Sequence, residues 1–188
     1  MLVIHHLGIS QSDRIVWLCE ELGLDYELTR YERDPVTRMA PAAYKALTPF
    51  GTAPVITDGD LVLGESGAIL EYIMQTYGEG KLSVRPHEPG YTDYLFWYHF
   101  ANASFMPAVM MGLIAAMTGG DPARISSLNE RSDRAYDQIE ERLGTVSYFA
   151  GDAFTAADII MLFPLTTVRA FAPAISRRTQ TFVPISSA

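Results

Sequence analysis

Gly51-Thr52-Ala53-Pro54-Val55-Ile56, followed after a short β-like run by Gly64-Glu65-Ser66-Gly67-Ala68-Ile69, is the stretch from which the rest of the chain can be read. A proline set between a glycine-containing turn and a short strand can hold its X-Pro bond in cis and turn the next residue's backbone toward a ligand. Val55 is then expected to pair with an extended peptide as an added strand. Ser66 opens the following helix, and its hydroxyl and the free N–H groups lie at the positive end of the helix dipole, where a carboxylate is stabilised. Glu65 beside it can take an ammonium. A backbone edge, a carboxylate hole and an ammonium acceptor are together what a small zwitterionic peptide requires.

Working outward, residues 2–6 read as a first strand and Ser10-Gln11-Ser12-Asp13 as cap residues. Ile15, Trp17, Leu18, Cys19 and Leu22 then recur at helical spacing until Gly23 stops the run. Residues 26–31 read as a second strand, 34–41 as loop, and 42–47 as a short helix facing the site. Residues 54–57 and 61–63, joined through Asp58-Gly59-Asp60, form a hairpin, and a helix over 66–77 ends at Gly78. This alternation is the pattern of an α/β layer. Pro86, Pro89 and Gly90 among polar residues mark a linker, so the expected organisation is a first domain over 1–80, a linker over 81–90 and a second domain over 91–188.

In the second domain β signals nearly vanish. A helix from 91 to about 117 is expected to kink at Pro107, and Asp121-Pro122 opens another with Ile125, Leu128, Ala135, Ile139 and Leu143 on one face. Thr155 as N-cap with Asp158 at N3, and Phe154 facing Ile159, give a capping box and staple.

A net charge of −8 argues against nucleic acid or an anionic membrane as partner, because phosphate attraction needs surplus Lys and Arg. The apolar run over 105–117 is broken by Pro107 and Gly112 and is shorter than the roughly 20 residues of a bilayer span. The lone Cys19 excludes an internal disulfide and fits a reducing compartment, and the N-terminus shows no secretion signal; a cytoplasmic protein is expected. No His and carboxylate spacing points to a metal.

The order and spacing of Ser10, the run from Trp17 to Leu24, Pro54-Val55, Glu65 to Ile69 and the Thr155 to Asp158 cap resembles the cytosolic glutathione transferases, in a bacterial, serine-type form. The resemblance implies an α/β thioredoxin-like N-terminal domain followed by an all-α C-terminal domain. It also implies a detoxifying transferase that joins the thiolate of glutathione, its cosubstrate, to a small hydrophobic electrophile without another cofactor. By that resemblance Ser10, or Ser12 as alternative, contacts the sulfur; a nearby donor and a helix dipole lower a thiol pKa and raise the thiolate fraction. Thr52, Ala53, Pro54, Val55, Glu65 and Ser66 are then the glutathione-binding set. Relatives commonly carry Lys where this chain has Thr52, so a cation is sought in Arg38, with Arg33 and Lys45 as alternatives. The electrophile pocket is expected from Phe100, Asn102, Phe105, Met106 and Val109, with Met110 and His99 as further candidates. Cys19, His5 and His6 are read as structural.

A homodimer is implied as well. Two other readings share these residues: a glutathione-dependent peroxide or disulfide reductase, and a non-catalytic glutathione-binding module. From Ala174 onward the helical period of the family is absent, and the last residues read as a frameshifted continuation, which predicts a helical domain incomplete at its C-terminus.

Overall fold

Leu2 and Ile4 point to one face of the first strand and Leu7 to the other, all three buried, and the chain is built outward from it. A computed structural model describes residues 1–166; the expected frameshifted tail lies outside the described residues. The strands β1 (Leu2–Leu7), β2 (Glu27–Tyr31), β3 (Val55–Asp58) and β4 (Leu61–Gly64) form one sheet in the order β2-β1-β3-β4. Between β1 and β2, which run parallel, lies α1 (Asp13–Leu22). β3 lies antiparallel to β1 with His5 opposite Val55, and the β3–β4 hairpin sets Val55 opposite Gly64.

α1 and α3 (Ser66–Thr76) cover one face. Ile15, Leu18, Cys19, Ile69, Leu70, Ile73 and Met74 are buried there with Ile4 and Ile56. On the other face, the single turn α2 (Ala42–Lys45) seats Tyr44 against Leu7 and Val55. This is the expected thioredoxin-like layer, and the described remainder is helical.

α4 (Tyr91–Phe100) and α5 (Met106–Met117) are joined by a π-turn over Ala101–Phe105 rather than by a simple kink. Pro107 has no N–H to offer one turn back, and the widened turn just before it absorbs the mismatch. The whole run Tyr91–Met117 is 27 residues and, by length and composition, long and apolar enough to cross a bilayer, which corrects the expectation from 105–117 alone. In the fold α4 packs against α7 (Ala156–Leu165) and α5 against α6 (Pro122–Leu143), while Phe96, Met111, Ile114 and Met117 stay exposed.

α6 is capped by Asp121, which accepts from the Ala123 N–H. The Thr155–Asp158 capping box forms as expected, and the other oxygen of Asp158 accepts from Phe149 N–H at 2.9 Å, fixing the loop before α7. Gly90, at φ 82°, starts α4 where a Cβ would lie 2.3 Å from the Ala150 carbonyl oxygen, so only glycine allows this approach between the linker and that loop.

Candidate functional site

The loop between β1 and α1 is held from outside. Ile9 has φ 53°, a conformation that a β-branched residue adopts only when its surroundings impose it. Arg33, just past β2, imposes it by donating from Nε to Gly8 O at 2.8 Å and from Nη2 to Ile9 O at 3.0 Å. The result delivers Ser10 to the surface of a groove of about 250 Å³.

The two serines differ in what they face. Ser12 is fully buried, and although it occupies the N-cap position of α1 its hydroxyl does not cap the helix. The oxygen turns back instead, accepting from Leu7 N–H at 3.2 Å and lying 2.8 Å from Ser10 Oγ and 2.9 Å from His6 Nδ1. Ser10 Oγ accepts from Ser12 N–H at 3.1 Å and lines the groove. Both were expected as cap residues; both hydroxyls serve the loop.

Across the groove the Ala53–Pro54 bond is cis, as the sequence predicts, and Thr52 and Ala53 line the wall opposite Ser10. Val55 does not offer a strand edge. It lies in the middle of the sheet with β1 on one side and β4 on the other, and it is buried against Leu7 and Tyr44. The expectation for Val55 is therefore corrected: no peptide can pair where two strands already do, and Ala53, before the cis bond, is the residue at the groove.

Arg38 is corrected too. It is exposed, has φ 60°, and contributes its carbonyl to Arg33 rather than a guanidinium to the groove. The alternatives Lys45 and Arg33 are at the groove instead, Lys45 beside Gly51 and Thr52. Gly51 (φ 66°) lets the chain pass there, since a Cβ would come to 3.3 Å from Lys45 O.

At the third corner, Glu65 (φ 70°) takes the N-cap position of α3 and is exposed, while Ser66 is the first helical residue and is buried. The Ser66 hydroxyl donates to Gln11 Oε1 at 3.0 Å and accepts from Arg14 Nη1 at 3.2 Å. Arg14 is the residue that the sequence reading missed. Nη1 also reaches Gln11 Oε1 at 2.8 Å and Asn102 Oδ1 at 2.9 Å, so it links α1, α3 and the π-turn of the helical half.

No carboxylate hydrogen-bonds this guanidinium among the described residues, and its Nε and Nη2 have no hydrogen-bond partner there. The Phe163 ring lies 5.5 Å from its central carbon. Burial pulls the Arg14 pKa down to about 9, partly offset by Tyr98 and Asp13. A charge placed this way raises the potential behind Ser66 and the start of α3. The signal was present: Arg14 lies on the same buried stripe as Ile15, Leu18 and Cys19.

The expected electrophile residues scatter. Phe105 is fully buried with its ring edge-on to Tyr136 at 5.0 Å, and Val109 is buried in the same core. Both are corrected from pocket wall to core, since neither lines the Ser10 groove and both are packed in the main hydrophobic cluster. Met106 is half-buried against that core, and Phe100 borders a cleft of about 300 Å³ with Met111, Arg131 and Arg134. Asn102 goes to Arg14, and His99 borders a separate depression with Glu71. Among the described residues of the helical half, Phe163 on α7 lines the Ser10 groove.

Cys19 is core as expected. Burial, then Glu20, pushes its thiol up to about 12, so it carries no thiolate at neutral pH.

Residues 10–76 match the family model "Glutathione S-transferase, N-terminal domain", and residues 102–183 match "Glutathione S-transferase, C-terminal domain". Glutathione S-transferase 3 of Schizosaccharomyces pombe is 36% identical over 182 residues, covering 88% of this chain and 73% of that protein. Glutathione S-transferase 3 of Zea mays is 33% identical over 166 residues, covering 83% and 73%. A crystal structure of a glutathione S-transferase from Actinobacillus pleuropneumoniae superposes with a TM-score of 0.84 at 34% identity, over 91% of this chain and 79% of that one. A transferase family member from Pseudomonas fluorescens shares the fold at 22% identity and a TM-score of 0.74, over 90% and 78%. With its sheet order, its cis-Pro turn and relatives above 30% identity aligned over most of their length, the chain belongs to the glutathione S-transferase family.

Proposed function

We propose that this protein conjugates the thiolate of glutathione to a small hydrophobic electrophile, with the Ser10 hydroxyl donating to the sulfur. The carrying observation is that Ser10 and not Ser12 faces the groove bounded by Thr52, Ala53 and Lys45. The glycyl carboxylate of the peptide is assigned to Lys45, the cysteinyl backbone to Ala53 before cis-Pro54, and the γ-glutamyl carboxylate to Ser66 at the start of α3 with the Arg14 charge behind it. Glu65 takes the ammonium. The Pseudomonas fluorescens protein of the same fold was solved with two glutathione molecules bound, which supports the ligand class. The wall for the electrophile is assigned to Ile9 and Phe163 at the mouth of the groove rather than to Phe105 and Val109.

The same reading takes residues 1–80 and 91 onward as the two domains, a cytoplasmic location and a homodimer. With Cys19 buried and its thiol suppressed, a protein-thiol redox cycle has no nucleophile, which favours conjugation over disulfide exchange through the protein.

The test is Ser10→Ala. Retention on immobilised glutathione is expected to persist while kcat with an aromatic halide falls by about two orders of magnitude, the scale of losing one donor to a developing anion. Full turnover in Ser10→Ala overturns the assignment. Binding without turnover in the parent protein leaves a non-catalytic module, and turnover of a peroxide or mixed disulfide in place of the halide leaves a reductase.

A further inference from the structure

We propose that His6 and Ser12 form a proton relay behind Ser10, so that the protonation and tautomer of His6 set whether the Ser10 hydroxyl accepts from or donates to the glutathione sulfur. This deepens the assignment of Ser10 above and rests on it. The observation is a continuous line of atoms: Ser10 Oγ to Ser12 Oγ at 2.8 Å, and Ser12 Oγ to His6 Nδ1 at 2.9 Å. It starts at the groove and passes through the fully buried Ser12. It ends on a ring in β1 whose side chain is 22% exposed.

Two arrangements run the whole length of this line, and they compete with a third in which the Ser12 hydroxyl donates to Leu7 O at 3.3 Å. In the first, His6 carries its proton on Nε2, and Ser10 donates to Ser12, which donates to His6 Nδ1. Ser10 then has a lone pair for an incoming thiol S–H. In the second, His6 Nδ1–H donates to Ser12, which donates to Ser10. Ser10 Oγ, already accepting from Ser12 N–H, then has its own proton left to give to a thiolate.

Passing from the first to the second moves one proton at each station. The thiol proton goes to Ser10, the Ser10 proton to Ser12, and the Ser12 proton to His6 Nδ1. The sulfur keeps its electron pair as a thiolate, and His6 becomes an imidazolium. It then releases its Nε2 proton to water, which completes the balance and leaves the neutral Nδ1–H tautomer. Asp13 on α1 places Oδ1 3.9 Å from Nδ1, and Arg30 is the residue in register with His6 on β2.

Ser12 also satisfies the Leu7 N–H, so Ser12→Ala disturbs the loop itself. His6 is the cleaner handle, and it acts as a positioning residue because it touches no substrate. The experiment measures ionisation of glutathione bound to the full chain, from thiolate ultraviolet absorbance against pH at saturating glutathione. The proteins are the parent, His6→Ala, His6→Asn, Ser10→Ala and Ser10→Ala/His6→Ala. His6→Ala is expected to raise the apparent thiol pKa so that the thiolate fraction at neutral pH falls about threefold to tenfold, the worth of one hydrogen bond. The glutathione KM is expected to stay within about twofold.

His6→Asn has an amide that donates without titrating and is expected to restore thiol acidity. In the Ser10→Ala background, His6→Ala is expected to add nothing. If Ser10→Ala raises the thiol pKa while His6→Ala leaves it unchanged, or changes only KM and melting temperature, the relay is overturned and the role of Ser10 stands. If Ser10→Ala itself leaves the thiol pKa unchanged, both fall.

Discussion

The β1–α1 loop and the α4–α5 run meet at one atom, Arg14 Nη1, which reaches Gln11 in the first and Asn102 in the second, yet they use their side chains in opposite ways. In the first region Ser10 and Ser12 are buried and bonded to one another, so their oxygens have fixed places and the site follows from them. In the second, the aromatic groups are spent on packing: Phe105 stacks on Phe100 and stands edge-on to Tyr136 of α6, and Trp97 lies 4.9 Å from Phe149. A polar group must find a partner when buried, so its position carries chemical meaning. An aromatic ring is content with any well-packed surface, so its presence near a groove carries little.

The comparison breaks most visibly at Phe105. As a core residue, Phe105→Ala is expected to lower unfolding free energy by about 3–5 kcal/mol in denaturant melts. If stability holds and the KM for the electrophile rises instead, Phe105 belongs to the pocket and the helical half is functional after all.

A smaller effect sharpens the polar side. Lys45→Ala is expected to raise the glutathione KM about threefold to tenfold at unchanged kcat, the loss of one charge-assisted hydrogen bond, whereas Arg38→Ala changes it by less than about twofold. Equal effects of the two variants would return the carboxylate to Arg38.

The smallest effect tests whether polar groups in the sheet half remain fixtures away from the groove. Asp58 accepts from the hydroxyls of Tyr77 and Tyr72 and from the N-terminal ammonium, and the Tyr77 and then the Tyr72 bond hold its carboxyl below the usual range. A carboxyl depressed in the folded state adds stability above its unfolded pKa, about 4, and loses it as pH falls through the lower folded value. Asp58→Asn is therefore expected to cost less than about 1 kcal/mol near neutral pH, with the two proteins converging in acid. A difference that persists unchanged in acid would show that the carboxylate charge is not what matters there.

Much of the fold was legible because its markers are local. Pro54 after Gly51, the Asp58-Gly59-Asp60 turn and the Thr155–Asp158 box each act within a few residues, and all three recur in the structure as read. Val55 misled because its two neighbours in the sheet come from opposite directions in the chain, β1 far upstream and β4 just after it. Arg14 was passed over because one charge on an apolar stripe looks like the edge of the stripe. Its acceptors Ser66 and Asn102 lie 52 and 88 residues away.

By itself the sequence determined the order of strands and helices, the cis turn, the Asp121 and Thr155 caps and the family, all set by short-range backbone preferences and hydrophobic period. Tertiary structure alone decided which serine faces the groove, which cation stands beside Thr52, and that His6 touches Ser12. Those outcomes depend on where a side chain a few ångströms long ends up once distant segments are packed, and hydrogen-bond geometry changes over distances that spacing along a chain does not encode.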